Sequence, residues 1–300
     1  MTKSAQIAIV GLGSMGYGMA GSVLAAGHQT HGFDINPAQV ARFQAQGGAD
    51  GDLDSIAGSI DALVVVVLNA AQTETVLFGE MGIVPAMKRG SVVVACATVP
   101  PAFARDMADR CADYGVHYLD APISGGAAKA AAGRLSIMAS GTVQAFAAAA
   151  AVLDATAEKV FTLGDAAGAG SAMKAVNQLL AGVHIAAMAE ALTFGLSQGV
   201  SAEKFVEVIP ECAGTSWMLE NRAPHIVTGD YTPHSSVNIW PKDLGIVLDI
   251  ARGAGFEAPV TEAALAQFVE AAAMGLGGED DAAVAKVYAA RAGVALPKND

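Results

Sequence analysis

Short apolar runs rich in β-branched residues alternate with Ala-rich amphipathic segments along the first half of the chain. The runs are IAIV, THGF, ALVVVVL, SVVVA and VHYLD, at 7–10, 30–33, 62–68, 91–95 and 116–120. Near-continuous apolar strands joined by helical crossovers are typical of a parallel sheet that is buried on both faces. The pattern predicts a doubly wound, mostly parallel α/β domain. Two further runs, 135–139 and 159–163, flank a helix over 143–153 and are expected to extend this sheet.

The second half has a different pattern. Strand signals stop after 164–171, and 172–199 is almost entirely helix-forming, without proline. Because this segment is apolar around most of its circumference, we expect it to be buried between domains or subunits. Shorter segments follow, separated by prolines. We therefore predict two domains, 1–165 and 166–300, the second all-helical and joined to the first by the long helix, and we expect a homodimer or homotetramer.

Composition narrows the classes of function. Seventeen Lys and Arg against 29 Asp and Glu give a net charge of −12, which disfavours nucleic acid and membrane surfaces as partners. The three cysteines and six histidines lack the spacing of a disulfide framework or a metal site. We expect no metal, a reducing cytoplasmic location, and a simple core thiol at Cys96.

A glycine-rich loop follows the first strand directly and opens a helix. In GLGSMG, Gly11 suits the tight turn, Gly13 allows the backbone to approach a pyrophosphate, and Gly16 permits close packing of helix on strand. Amides at the start of the helix would bind the phosphates. The loop predicts a Rossmann-type dinucleotide site, with the remaining contacts from Leu12, Ser14 and Met15.

Asp34 ends the second strand, where a carboxylate can bind the adenine ribose hydroxyls and would repel a 2′-phosphate. This favours NAD over NADP. Asp34 could also cap the turn DINP, and both roles can hold together. Arg42 on the next helix could in principle meet a phosphate.

Four separated motifs carry a resemblance to the β-hydroxyacid dehydrogenase family, which includes enzymes acting on 3-hydroxyisobutyrate and tartronate semialdehyde. They are GLGSMGYGM, DAPISGG, GAGSAMKAVNQ and KDLGI, at 11–19, 120–126, 168–178 and 242–246. The resemblance covers nearly the whole length. It implies an NAD-dependent oxidoreductase with an N-terminal Rossmann domain and a helical domain for substrate binding and oligomerisation.

The resemblance also implies roles for residues of the middle motifs. Ser124, Gly125 and Gly126 would hold the substrate carboxylate, and two glycine amides with a hydroxyl suit an anion. Lys174 would be the general acid/base and Asn177 a substrate contact. A lysine on an otherwise apolar helix needs a partner or a function, and positive charge is disfavoured near a helix start.

The resemblance implies further cofactor contacts. At two positions near them, this sequence departs from the family pattern. Lys242 would lie by the cofactor, whereas Asp243 is interpreted as a helix N-cap. Leu68 and Asn69 fall where the family has a Leu-Pro pair. Thr98 matches the family's threonine, while the preceding serine is replaced by alanine.

The expected reaction is NAD-dependent oxidation of a small hydroxy acid. Within the family that the chain resembles, the segments 178–192 and 216–233 are most similar to enzymes that act on a four-carbon sugar acid such as L-threonate, and this resemblance implies oxidation to the 2-oxo acid. A 3-hydroxyisobutyrate or tartronate semialdehyde type of activity is the alternative in the same class. A noncatalytic NAD-binding module is the alternative of another class, and Lys174 beside Asn177 argues against it. The retained lysine also disfavours an imine-reducing relative.

Overall fold

The computed structural model describes residues 4–298, and the chain divides into two compact units, Met1–Lys174 and Ala175–Asp300. The boundary near residue 165 stays a prediction.

The first unit contains a five-stranded, entirely parallel sheet in the order β2-β1-β3-β4-β5. Its strands are Gln6–Val10 (β1), Gln29–Phe33 (β2), Ala62–Val65 (β3), Val92–Ala95 (β4) and His117–Asp120 (β5). The connecting helices are Gly16–Ala25 (α1), Pro37–Ala45 (α2), Leu53–Ile56 (α3), Ala70–Phe78 (α4) and Pro101–Asp113 (α5). Strand order reverses direction between β1 and β3, which is the switch point where doubly wound sheets bind ligands. The predicted α/β class is confirmed.

Both faces of this sheet are buried, as the apolar strands indicate. Ile7 and Ile9 of β1 belong to one core cluster, whereas Ala8 between them belongs to the cluster on the other face. Leu63 and Val64 of β3 divide between the same two clusters. Alternate residues therefore fill two cores, and helices have to cover both.

The two later strands were expected to extend the parallel sheet, and this expectation is wrong. Three strands, Ile123–Ser124 (β6), Leu135–Ala139 (β7) and Ala157–Thr162 (β8), form a separate sheet with helices Gly126–Ala131 (α6) and Val143–Thr156 (α7). β6 pairs antiparallel with β7, and β7 pairs parallel with β8. A single antiparallel bridge, Asp120 to Ser140, connects β5 with the end of β7. The chain reverses after Asp120, so β7 cannot continue the parallel ladder.

The long helix α8 spans Ala169–Ser197, 29 residues, and begins three residues earlier than the pattern predicts. Its composition and length alone would allow it to cross a membrane, with a mean hydropathy of 1.6 over its most apolar window. Within the second unit, however, Ile185, Met188 and Leu192 are buried in the core with Trp240 and Phe268. The apolar composition of α8 is thus accounted for in part by packing inside the protein.

The second unit is helical, as predicted, and the described residues 175–298 contain no strand beyond one isolated bridge. Its further helices are Ala202–Val208 (α9), Trp217–Thr228 (α10), Ile239–Gly253 (α11), Pro259–Ala271 (α12) and Ala285–Ala292 (α13). Asp280 caps the short 3-10 turn ahead of α13. The adjacent Asp281 is fully buried, receives hydrogen bonds from Arg222 and Trp240, and has its pKa raised by that burial.

Candidate functional site

The glycine loop lies at the carboxyl end of β1, beside the switch point. Gly11 has φ +98°, and a Cβ there would lie 2.2 Å from the carbonyl oxygen of Val66. A Cβ on Gly16 would lie 1.8 Å from the carbonyl oxygen of Gly11. Neither position can hold a larger residue without moving the backbone. A Cβ on Gly13, by contrast, would meet nothing within 4 Å, so a ligand can approach the backbone at this point.

The start of α1 is available to an anion. Met15 is the N-cap residue and makes no side-chain cap hydrogen bond. The first amides of a helix need acceptors, and the helix dipole favours a negative one. Ser14 is exposed beside them, whereas Leu12 is buried and anchors the loop in the core. These features fit the pyrophosphate of a dinucleotide.

Asp34 links the loop to the end of β2. Its Oδ2 accepts a hydrogen bond from the Leu12 amide at 2.7 Å, and its Oδ1 accepts one from the Asn36 amide at 2.8 Å. Asp34 thus caps the turn, as one of its two predicted roles requires. Each carboxylate oxygen retains a lone pair for a ribose hydroxyl. Arg42 stacks over the Tyr17 ring at 4.1 Å, so this guanidinium already has a cation–π contact.

The other predicted cofactor residues of this unit follow β3 and β4. Leu68 is 62% exposed, and Thr98 is half-buried after the fully buried end of β4. Asn69 accepts a hydrogen bond from the Gln72 amide at 2.9 Å and caps α4. This cap is a structural reason for asparagine where the family has proline. Because β1, β3 and β4 are adjacent parallel strands, these residues lie at the same sheet edge as the glycine loop.

Lys174 and the predicted carboxylate loop come together. The Lys174 side chain is buried, with the residue 9% exposed, and its Nζ donates a hydrogen bond to the carbonyl oxygen of Ile123 at 2.9 Å. Ile123 directly precedes Ser124, which ends β6. Gly125 follows as the N-cap residue of α6, and Gly126 is the first residue of that helix. A Cβ on Gly126 would meet nothing within 4 Å, so its backbone is also approachable. The Lys174 amine therefore contacts the residue that directly precedes three candidate donors for a carboxylate.

Asp120, the first residue of the DAPISGG motif, has no predicted role, and it fixes the start of α8. It is 1% exposed. Its Oδ2 accepts hydrogen bonds from the Gly168 and Ser171 amides, both at 2.9 Å, and its Oδ1 accepts one from Ser171 Oγ at 2.7 Å. Ser140 Oγ donates to Oδ2 as well, at 3.2 Å. A carboxylate at a helix N-terminus is favourable, and this one holds the turn that precedes Lys174.

In the second unit, four polar side chains form a continuous chain of contacts. Asn177 Nδ2 donates to Gln178 Oε1 at 2.9 Å, and Gln178 Nε2 donates to Asp243 Oδ2 at 2.5 Å. Lys242 Nζ lies 2.7 Å from Asp243 Oδ1. The interpretation of Asp243 as a helix N-cap is wrong, because it lies inside α11 and is 3% exposed. The predicted contacts Asn177 and Lys242 are connected through Gln178, to which no role was assigned, and Asp243, for which a cap was predicted.

Cys96 and the two tryptophans lie in different environments. Burial raises the pKa of Cys96 to about 12, and the residue is 5% exposed, which confirms a core thiol. Trp240 stacks on Phe268 in the core, whereas Trp217 is 62% exposed. Over residues 4–298, no three His, Cys, Asp or Glu side chains are grouped so that they could hold a metal ion.

Two family models cover most of the chain. The first, described as the NAD binding domain of 6-phosphogluconate dehydrogenase, matches residues 6–164. The second, described as NAD-binding of NADP-dependent 3-hydroxyisobutyrate dehydrogenase, matches residues 168–288.

Individual relatives match over nearly the full length. L-threonate dehydrogenase of Cupriavidus necator is 50% identical over 295 residues, 98% of each chain. L-threonate dehydrogenase of Escherichia coli K12 is 45% identical over 293 residues, 97% of this chain and 96% of the relative. The crystal structure of a Salmonella typhimurium protein described as 3-hydroxyisobutyrate dehydrogenase is 46% identical, with a TM-score of 0.89, and the alignment covers 95% of this chain and 100% of that one.

Proposed function

The chain belongs to the family of NAD-dependent hydroxyacid dehydrogenases, and we propose that it oxidises L-threonate, a four-carbon sugar acid, to the corresponding 2-oxo acid. The observation that carries the proposal is the buried Lys174 amine, 2.9 Å from the Ile123 carbonyl oxygen and next to the Ser124-Gly125-Gly126 segment. An acid/base group and an anion-binding segment side by side are what oxidation of a hydroxy acid requires.

The residues of this segment would orient the substrate. The Ser124 hydroxyl and the amides of Gly125 and Gly126 would bind the carboxylate, because charge-assisted hydrogen bonds fix an anion in direction as well as distance. The side chain of Asn177 would bind a substrate hydroxyl. Substrate orientation contributes strongly to rate, since it removes the entropy cost of bringing the reacting atoms together.

Lys174 would move the proton of the reacting hydroxyl. In oxidation its neutral amine accepts that proton, and in the reverse direction its ammonium returns a proton to the oxygen that is forming. Bound NAD supplies the hydride acceptor. The Ile123 carbonyl holds Nζ at a defined position, so the amine does not have to be ordered during the reaction.

Asp34 supports NAD over NADP. Although the second family model is described by an NADP-dependent enzyme, the carboxylate of Asp34 would face a 2′-phosphate with like charge. The two amide contacts of Asp34 fix this carboxylate in place.

Replacing Asp34 with asparagine should raise the ratio of kcat/KM with NADP to kcat/KM with NAD by about 100-fold, because like-charge juxtaposition costs several kcal/mol. The amide oxygen still accepts one of the backbone hydrogen bonds, so the loop is kept. Steady-state kinetics with both cofactors measures the ratio. Asp54→Asn, at an exposed carboxylate on α3, is the control. An unchanged ratio in Asp34→Asn would refute the assignment.

A panel of hydroxy acids tests the substrate. With NAD in excess, we expect the highest kcat/KM for L-threonate, at least about tenfold above that for 3-hydroxyisobutyrate, because a polyol acid and a methyl-bearing acid need different contacts. Initial rates of NADH formation at 340 nm measure this. If the methyl-bearing acid gave the higher kcat/KM, the second candidate, a 3-hydroxyisobutyrate dehydrogenase, would replace the first. The description of the 46% identical Salmonella structure favours that candidate.

Two further expectations belong to the proposal. We expect the protein to work in the cytoplasm, and we expect a homodimer or homotetramer. The exposed apolar side chains Val176, Leu180 and Phe194 along α8 support self-association.

A further inference from the structure

Within the first unit, helix α6 packs directly on helix α1, and a glycine lies at their contact. Gly18 is buried on α1, and a Cβ at this position would lie 2.6 Å from the backbone nitrogen of Ala131 and 2.9 Å from the carbonyl carbon of Ala130. Both atoms belong to the backbone of α6, so no rotation of a side chain could make room. The two helices therefore approach to a distance that requires glycine at position 18.

A hydrogen bond holds the same end of α6 against α1. Ser22 lies one turn after Gly18, and its Oγ donates to the Ala130 carbonyl oxygen at 2.9 Å. The Ala131 carbonyl oxygen lies 3.4 Å from the same hydroxyl. The last carbonyl groups of a helix have no partner within that helix, so a hydroxyl group of a neighbouring helix is a suitable donor. Ser22 thus fixes the end of α6 beside the surface that Gly18 leaves open.

The two helices carry the two loops that the proposed function requires. Helix α1 begins at Gly16, the last glycine of the dinucleotide loop, two residues before Gly18. Helix α6 begins at Gly126, the last of the three residues expected to bind the substrate carboxylate, and ends at Ala131. Each helix is a short, continuous segment, so its position fixes the loop that precedes it. The packing at Gly18 therefore sets the distance between the dinucleotide loop and the carboxylate segment.

Helix α6 is the helix that would yield to a larger residue at position 18. Five residues of α1 are buried, among them Met19, Ala20 and Val23 in the core on one face of the parallel sheet. Helix α6 buries only Ala130. Because nonbonded carbon atoms pack at roughly 3.5–4.0 Å, a methyl group at position 18 would displace α6 from α1 by roughly 0.5–1 Å.

We propose that Gly18 and Ser22 are positioning residues, which set the place of Ser124, Gly125 and Gly126 relative to the dinucleotide loop through the packing of α6 on α1. Neither Gly18 nor Ser22 contacts the substrate. The inference rests on the proposed function, in which the carboxylate segment binds the hydroxy acid. It applies to L-threonate and to 3-hydroxyisobutyrate alike, because both acids carry the carboxylate.

Gly18→Ala tests this packing, and Gly21→Ala is the matched control. Gly21 lies on the same helix, but a Cβ at this position would meet nothing within 4 Å. Alanine is a better helix former than glycine, so neither substitution weakens α1 itself. Ser22→Ala is an independent second variant, since it removes only the hydroxyl group that donates to α6.

We expect Gly18→Ala to raise the KM for the hydroxy acid at saturating NAD by about tenfold, with kcat within about threefold of wild type. A displacement of about 1 Å can cost about 10²-fold in rate, so roughly half that displacement should cost about tenfold. The Kd of NAD, measured by isothermal titration calorimetry, should stay within about threefold, because the dinucleotide loop is unchanged. Ser22→Ala should raise the same KM by about threefold, since one neutral hydrogen bond is lost. Gly21→Ala should match wild type.

Hydrogen–deuterium exchange separates positioning from general loosening of the unit, and it needs no substrate. In Gly18→Ala, exchange should become faster at residues 124–131 and stay at the wild-type rate in the strands of the parallel sheet. Faster exchange in the strands as well, together with weaker NAD binding, would show a purely structural role and overturn the inference.

The kinetic outcomes distinguish this inference from the function on which it rests. An unchanged KM in Gly18→Ala, in an enzyme that oxidises the hydroxy acid, overturns the inference and leaves the proposed function intact. If Gly18→Ala does not fold, Ser22→Ala decides, because a raised KM with unchanged NAD affinity supports the inference and an unchanged KM overturns it. A wild-type protein that oxidises no hydroxy acid rejects the proposed function, and the positioning role is rejected with it.

Discussion

Replacing Lys174 with alanine should lower kcat by about 10²–10⁴-fold, the usual contribution of a positioned acid/base group. The side chain is buried and its Nζ is held 2.9 Å from the Ile123 carbonyl oxygen, so water cannot easily take its place. NAD affinity should stay within about threefold of wild type, since the glycine loop and Asp34 are untouched. Steady-state kinetics gives kcat, and isothermal titration calorimetry with NAD gives its binding constant.

Lys204→Ala is the matched control for this substitution. Lys204 is an exposed lysine on α9 that pairs with Glu207, and its loss should leave both quantities unchanged. If Lys174→Ala retained wild-type turnover, Lys174 would not be the acid/base group. If it lost NAD binding to the same degree as turnover, the effect would be one of folding or of the cofactor site.

Replacing Asp120 with alanine should lower the free energy of unfolding by about 3–5 kcal/mol. Hydrogen bonds to a charged group are each worth about 1.5–3 kcal/mol, and leaving buried donors without an acceptor adds a desolvation cost. The Gly168 and Ser171 amides and the Ser171 hydroxyl would all lose their acceptor in a site that is 1% exposed. Urea unfolding followed by circular dichroism measures the change.

The loss of Asp120 should also lower turnover, because the start of α8 sets the position of Lys174. Asp120→Asn should be the milder change, since one amide oxygen remains as an acceptor. Asp113→Ala, an exposed carboxylate at the end of α5, is the control and should change stability by less than about 0.5 kcal/mol. A similar small change in Asp120→Ala would contradict the role assigned to this carboxylate.

The fold of the first unit follows from local patterns. Continuous apolar strands such as ALVVVVL indicate burial on both faces, and the structure places Leu63 and Val64 in opposite cores. The signal of the glycine loop is local as well, because the close approach of Gly16 to the Gly11 carbonyl oxygen joins residues five positions apart. The second sheet was predicted less well. Its strands were recognised, but whether β7 joins β5 depends on the reversal after Asp120, which has no strong signal in composition.

The site was predictable only in part. Lys174, Asn177 and the Ser124-Gly125-Gly126 segment were found through motifs and the family resemblance, and their roles stay predictions. No role was predicted for Asp120 or Gln178, although each lies in one of the four motifs. Their partners lie 51 and 65 positions away along the chain. Asp243 was assigned a local role as a cap because an aspartate near a helix start usually has one, but its contact is long-range.

The sequence by itself determined the elements, the α/β and helical halves, the dinucleotide loop and the family, because hydrophobic period, glycine placement and motif spacing are local properties of the chain. Only the tertiary structure decided which carboxylate holds the start of α8, which carbonyl oxygen accepts the hydrogen bond from Lys174 Nζ and which group the Asn177 amide contacts. Those choices depend on hydrogen bonds between groups that are distant in sequence and close in space. The order of residues along the chain does not specify which of these groups meet or which one donates.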